Sequence, residues 1–339
     1  MYMRRYVIIS FLLFVVSCSS QTGYHQAVFR DVKKADVRVM GTSLALGVPV
    51  DLCLEGDYLF VLAYTPDYWL HVYDKRTGEK KSSMLTVGRG PGEGMNLVSV
   101  DYKRDEQNLY AYDMVLRKTL VYHLDGSDGS ATFLREIQLP AEGVVRKSHI
   151  LPDGNYLYEG YLPGFDKNTR LILSDGNSVL DSYDEYPGVE DENDRSAMIL
   201  GVSKADPMTG RFVCGTMFGA VLECFDLSGQ MIRSTGIRLL DPPEMDPSSP
   251  GIQPKPGTKY GFSSFCLTDY LIFAVYVDGE DPNDFKTIAT FDWKGKEQTM
   301  FVADWNILRI CPGEGNGKSL YGIVSSPEMD FYLAGIVLQ

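Results

Sequence analysis

Few residues in this 339-residue chain stand at spacings that could do chemistry. Pro312-Gly313-Glu314-Gly315-Asn316-Gly317-Lys318-Ser319 ends like a phosphate-binding loop. Such a loop needs glycine where Pro312 stands, and a following helix whose N-terminal amides face the phosphate. No helical periodicity follows Ser319, so the run reads as a polar turn. No Gly-x-Ser-x-Gly elbow occurs, and no histidine stands in sequence context with a serine or cysteine nucleophile. His25, His71, His123 and His149 are scattered, and no Cys-x-x-Cys or paired His/Cys spacing points to zinc. An enzyme remains open, because a site can assemble from strands far apart in the chain.

Two acidic runs, Glu190-Asp191-Glu192-Asn193-Asp194 and Asp278-Gly279-Glu280-Asp281-Pro282-Asn283-Asp284, offer the oxygen ligands that Ca²⁺ takes. Neither has EF-hand spacing, and a solvated acidic loop explains both; apart from this calcium alternative no cofactor is expected. In Gly88-Arg89-Gly90-Pro91-Gly92-Glu93 the glycines and proline serve a tight backbone crossing. Arg89 and Glu93 are not demanded by such a turn. They are expected either to pair with each other or to place Arg89 on a ligand face.

The elements that must carry these residues repeat. Tyr58-Leu59-Phe60, Asn108-Leu109-Tyr110, Tyr156-Leu157-Tyr158, Phe212-Val213-Cys214, Tyr270-Leu271-Ile272 and Ser319-Leu320-Tyr321 are six copies of one phrase. In phase with them an apolar run ends in Asp and then Gly: Asp74 and Gly78, Asp125-Gly126, Asp175-Gly176, Asp226 and Gly229, Asp292 and Gly295. Asp and Gly between alternating runs mark hairpin turns. Each unit therefore reads as four short strands with the recurrent Leu on the second and the Asp closing the third. A unit of this size cannot bury its own apolar face, so the copies must pack on one another.

The expected fold is an all-β, six-bladed β-propeller with four antiparallel strands per blade. The chain ends after Phe331 to Leu338, the third strand of blade six. An N-terminal strand within Asp36 to Leu44 is expected to supply the fourth, close the ring and remove two open edges. Two departures from the repeat surround blade five: a loop from Asp241 to Thr258 with six prolines, and a long second-to-third-strand loop from Val277 to Asp284.

Cys53, Cys266 and Cys311 fall at matching places on the inner strands of blades one, five and six, as small core residues. Cys214 and Cys224 flank a hairpin at Phe218-Gly219 and would pair only if its loop were short. At the N-terminus, Arg4 and Arg5 precede an apolar run from Val7 to Val16. That run is too short for a bilayer span of about 20 residues, so it reads as a signal sequence. Val15-Val16-Ser17-Cys18 resembles the bacterial lipobox, in which the Cys is lipidated. The expected organisation is a signal peptide over 1–17, a lipidated Cys18 and tether over 18–27, and the propeller over 28–339. Ser19 after the Cys implies the outer membrane by the sorting rule of enteric bacteria.

The formal charge is −13. That sign argues against nucleic acid and against unaided attraction to anionic headgroups. The lipobox, the six-fold period and the Gly88–Glu93 turn together resemble the TolB-like six-bladed propeller lipoproteins of Gram-negative gut bacteria, over about residues 27–339. The resemblance implies a fold and an envelope location, periplasmic or surface-facing, and no reaction. Related NHL-type propellers are binding platforms; gluconolactonase-like ones are metal-dependent hydrolases, whose carboxylate and Asn ligands find no clear match here.

Propeller ligands are expected where the interblade loops meet the second-to-third-strand loops. There the chain offers Tyr64, Tyr68, Trp69, Arg89, Arg117, Tyr161, Phe165, Phe218, Tyr276 and Trp305. Aromatic rings with a few Arg groups suit a sugar ring or a peptide, unless the rings pack between blades. The first reading is a noncatalytic envelope lipoprotein that binds a protein, peptide or glycan. The alternative is a metal-assisted (Ca) hydrolase or lyase at the channel mouth.

Overall fold

The computed structural model describes residues 25–139, 143–165, 169–183, 201–227, 232–239, 244–246, 253–277, 279–281, 283–314 and 317–339. Cys18 and Glu190 to Asp194 lie outside them. Regular structure among the described residues is strand throughout, and no helix is long and apolar enough to cross a membrane.

Blade one is built from Pro49–Glu55, Tyr58–Ala63, Tyr68–Asp74 and Lys80–Thr86, and blade two from Leu97–Lys103, Asn108–Asp113, Lys118–Asp125 and Ser130–Gln138. Blade three follows with Val144–Ile150, Tyr156–Tyr161, Leu171–Ser174 and Val179–Tyr183, and blade four with Gly201–Asp206, Arg211–Thr216, Val221–Asp226 and Ile232–Arg238. Blade five contains Phe262–Leu267, Leu271–Tyr276, Thr287–Asp292 and Glu297–Val302; blade six contains Asn306–Pro312, Ser319–Ser325 and Phe331–Leu338. Its fourth strand comes from the N-terminus: Val32–Leu44 pairs antiparallel with the last strand, from Ala35 opposite Leu338 to Leu44 opposite Phe331.

That closing strand starts earlier than Asp36. Val32 to Lys34 run parallel to Met300–Val302, which joins blades five and six into one eight-stranded sheet. His25–Gln26 add in parallel to Ile237 and Arg238 on the outer strand of blade four. Residues 25–27 of the expected tether are therefore docked chain. They satisfy backbone groups that blade four would otherwise leave open at its edge.

Burial explains the strand patterns. Middle strands read as unbroken apolar runs, such as Tyr58–Ala63, because both faces are covered. Outer strands alternate or are exposed, as in Ser130–Gln138. The core forms six clusters, one at each interface between neighbouring blades. Phe60 and Leu62 pack toward blade two, whereas Leu59, Val61 and Ala63 pack toward blade six.

Register also decides the cysteines. Cys214 lies opposite Glu223 and Cys224 opposite Val213, so the two thiols project from opposite faces of the sheet. The suggested Cys214–Cys224 bridge is not formed, and all five described cysteines are free thiols. Cys214 faces blade three and Cys224 faces blade five.

Closure makes a prediction. Ile336 is fully buried in the strand that the N-terminal segment completes. Ile336→Ala should lower unfolding stability by about 2–5 kcal/mol, read from urea denaturation.

Candidate functional site

The inner strands place an unusual number of charges around the central channel, and these residues touch all six blades. Lys204 of blade four reaches across to Asp51 of blade one, and also donates to the Val100 carbonyl of blade two at 3.3 Å. Arg309 of blade six donates to the carbonyls of Val50 in blade one, 2.6 Å, and Ser263 in blade five, 3.3 Å. Lys147 of blade three donates to the Gly201 carbonyl and the Ser203 hydroxyl of blade four, at 3.3 and 3.2 Å. His149 bridges blades two, three and four: Nδ1 lies 3.1 Å from Asp101 Oδ2, and Nε2 lies 3.0 Å from Glu159 Oε1 and 3.2 Å from Ser203 Oγ.

Ser203, His149 and Asp101 have the connectivity of a hydrolase triad, but the electrostatics are those of an ion cluster. Burial pulls the His149 pKa down, but Asp101 and Glu159 outweigh it and hold it up at about 9. Burial pushes Glu159 up, but Lys147 and His149 pull it down to about 2. At neutral pH the ring is an imidazolium held between two carboxylates. It has no lone pair with which to take the Ser203 proton, and the Ser203 hydroxyl is already bound to Glu159. Sequence reading missed this cluster because most of its partners lie far apart in the chain, Asp101 48 positions from His149 and Asp51 153 from Lys204.

On one side of this charged layer the channel widens into a cavity of about 540 Å³. Its lining comes from the second halves of inner strands and the turns that follow them, including Cys53, Tyr102, Lys204, Met208, Phe265, Tyr270, Cys311 and Gly317. It therefore opens at the first-to-second-strand turns, the end opposite to the expected ligand face. The turn that mimicked a phosphate loop, between Pro312 and Ser319, belongs to its rim.

The expected ligand-face residues divide by burial. Tyr64 and Tyr68 are exposed, at 46% and 36%, and Arg89 is exposed. Trp69 is buried with its indole N–H on the Gly94 carbonyl at 2.9 Å. Phe218 is buried against Tyr260, and Tyr276 against Phe262. Half-buried Phe165 joins the core between blades two and three, and Trp305 packs edge-on to Tyr332. Arg117 is half-buried and donates to the Gly143 carbonyl. The Tyr161 side chain lies outside the described set. Six other apolar side chains are exposed at this same end: Val48, Met114, Val115, Val144, Met217 and Met329.

The sequence profile of the TolB-like 6-blade propeller-like family matches residues 28–314. The chain belongs to that TolB-like family. No curated protein matches the sequence. Among solved structures, a protein described as exported from Bacteroides fragilis is similar at 14% identity, with a TM-score of 0.57 over 93% of this chain and 98% of that one. A DUF4221-family member from Bacteroides vulgatus has 10% identity and a TM-score of 0.52 over 93% and 98%. At such identities these likenesses concern the fold.

In this TolB-like propeller the Gly88–Glu93 turn crosses from blade one to blade two, as its glycines require. Gly92 has φ +73°, and a Cβ there would press on the Phe133 ring at 3.0 Å. The expected Arg89–Glu93 pair is not formed. Glu93 folds back to accept the Gly90 amide at 2.7 Å, filling the space a Gly88 side chain would occupy, and Arg89 is left at the surface. In the acidic loop of blade five, Asp281 caps the Asn283 amide and Asp284 pairs with Lys286 at 3.0 Å. Among the described residues no group of three or more His, Cys, Asp or Glu side chains is arranged to hold a metal ion.

The His149 cluster gives stability a pH signature. The folded His149 value lies above the ordinary 6.5, so its contribution is complete below that pH and is lost as pH rises through 9. Glu159 is depressed from 4.5, so its contribution is complete above that pH and fades as pH falls toward 2. His149→Gln should destabilise the protein by about 3 kcal/mol at pH 6 and flatten the decline between pH 6.5 and 9, measured by urea unfolding across that range.

Proposed function

We propose that this protein is a noncatalytic envelope lipoprotein, held at the outer membrane through Cys18, that binds a protein partner on the face formed by the interblade and second-to-third-strand loops. One observation carries the reading: eight exposed apolar side chains gather at that end of the ring, Val48, Tyr64, Tyr68, Met114, Val115, Val144, Met217 and Met329. Exposed apolar groups concentrated on one surface mark association sites. The Gly47 amide donates to the Tyr64 carbonyl at 2.9 Å, which ties the loops carrying Val48 and Tyr64 together.

A protein suits this face better than a glycan. Sugar stacking needs open aromatic rings, whereas Trp69, Phe218 and Tyr276 are buried in blade packing and leave Tyr64 and Tyr68 as the exposed rings among the described candidates. What remains exposed is largely Val and Met, apolar groups that suit another protein surface, with Met the adaptable one. Arg89 adds an exposed cation to this face, on a loop that the Val87 amide ties to the Asp67 carbonyl at 3.0 Å.

A photo-crosslinking side chain placed in cells at Tyr68, Val115 or Met217 should yield one common protein adduct. The same group at Leu134, an exposed apolar residue on an outer strand, should not. Equal adducts from Leu134, or none from the three face positions, would refute the reading. Cys18→Ala should also release the protein from the membrane fraction.

A further inference from the structure

The cavity at the opposite end has features of a small-molecule site, independent of the partner-binding face. At about 540 Å³ it lies within the range of about 300–1,000 Å³ typical of ligand pockets. Its walls are mostly apolar, with Leu52 and Leu54 from blade one, Phe265 and Leu267 from blade five, and Ile310 from blade six. The cavity has no dense set of inward polar groups of the kind a sugar or nucleotide requires. Four charged residues line it: Arg104, Asp206 and Asp269 at the turns, and Lys204 where the cavity meets the charged layer.

Two features make that deep end receptive to an anion. An ammonium has three N–H donors. Asp51 and the Val100 carbonyl accept from Lys204, which leaves one donor for an occupant of the cavity. Beyond this pair, the layer holds the cations Lys147, His149 and Arg309 against the anions Asp101 and Glu159. Within the layer one positive charge is in excess, while at the turns lining the cavity Arg104 stands against Asp206 and Asp269. In a low-dielectric channel that surplus acts strongly on a charge placed beside it. A further polar group in the wall is the Tyr102 hydroxyl, buried beside Glu55 without a well-formed hydrogen bond.

The mouth is formed by Met208 and Tyr270, which are 45% and 75% exposed. Both are amphipathic or adaptable side chains in the turns after inner strands, suited to closing over an apolar chain.

We propose that this cavity binds a small amphipathic monoanion, an aliphatic carboxylic acid whose chain lies along the walls of blades one, five and six and whose carboxylate meets Lys204. The partner face can fail its own test without affecting this site, and the reverse also holds, because the two lie at opposite ends of the channel and share no residue.

The test is isothermal titration at pH 7 of octanoate and 1-octanol into the chain from Ser19 onward, which retains every blade strand. Octanoate should bind with one site per chain and at least tenfold more tightly than octanol. Met208→Trp, at the exposed mouth and outside the core, should weaken both ligands at least tenfold. Lys204→Met should remove the preference for the acid while leaving octanol affinity within twofold. Because that change strands Asp51, the double variant Asp51→Asn with Lys204→Met replaces it if the single variant fails to melt cooperatively. Absence of saturable octanoate binding, equal affinity for acid and alcohol, or unchanged binding by Met208→Trp would each overturn the proposal.

Discussion

The structure rests on apolar burial between blades, because a single four-stranded unit has two apolar faces and no means of covering either. The middle strands show the constraint most plainly. In Tyr58–Ala63 the odd-numbered side chains pack toward blade six and the even-numbered ones toward blade two, so each residue is committed to one neighbour. The strand can therefore have no polar face. The ring must also close, or two blades would each expose an unpaired apolar face. Val32–Leu44 meets that need by completing the sheet of blade six, while Ala35 enters the core between blades five and six.

Packing blades radially leaves a channel on the axis, where the inner strands turn one side toward neither neighbour. Here the protein uses charge in place of apolar side chains. Bringing Lys204, Arg309, His149 and three carboxylates out of bulk water is costly unless each finds partners. They do so largely across blades, from blade four to one, six to five, and three to two. A tightly paired polar layer specifies the relative rotation of the blades in a way that interchangeable Val and Leu contacts do not. The layer also divides the channel, and the same residues that fix the blades become the deep end of the cavity.

The fold was legible because it is written in period and position. Recurrent Leu59, Leu109, Leu157, Val213, Leu271 and Leu320 all lie on second strands, and Asp74, Asp125, Asp226 and Asp292 each end a third strand. The closing strand was legible from a count, since one strand was missing at the C-terminus and one was spare at the N-terminus. The candidate site was less so. Asp51 and Lys204 are separated by more than 150 positions, and no local motif joins them. Each inner strand does carry polar residues, among them Asp51, Asp101, His149, Lys204, Ser264 and Arg309, but others stand beside several of them, as Arg146, Lys147 and Ser148 do before His149. They also stand at different registers against the second strand, Asp51 opposite Leu62 but His149 opposite Leu157, so the repeat itself does not single them out. Arg89 and Glu93 misled for the opposite reason, since neighbours in sequence suggested a pair where the turn geometry turned Glu93 onto the Gly90 amide.

The division of the channel also bears on how one ring can serve two kinds of contact. Loops at the partner face are linked blade to blade by backbone bonds such as Gly94 to Thr86 and Gly261 to Met217, so exposed apolar groups there sit on a rigid rim. A flat rigid surface of that kind can bind a protein without first being ordered, which removes an entropic cost of association. The opposite end is linked by side chains, such as Arg211 on the Asp269 carbonyl and Lys103 on the Pro152 carbonyl, and its turns carry their own caps, such as Asp206 on Met208 and Thr268 on Leu271. Between them lies open volume rather than a rim. The charged layer lies between an apolar face and a largely apolar cavity, and the ion pairs that join the blades also form the deep end of that cavity.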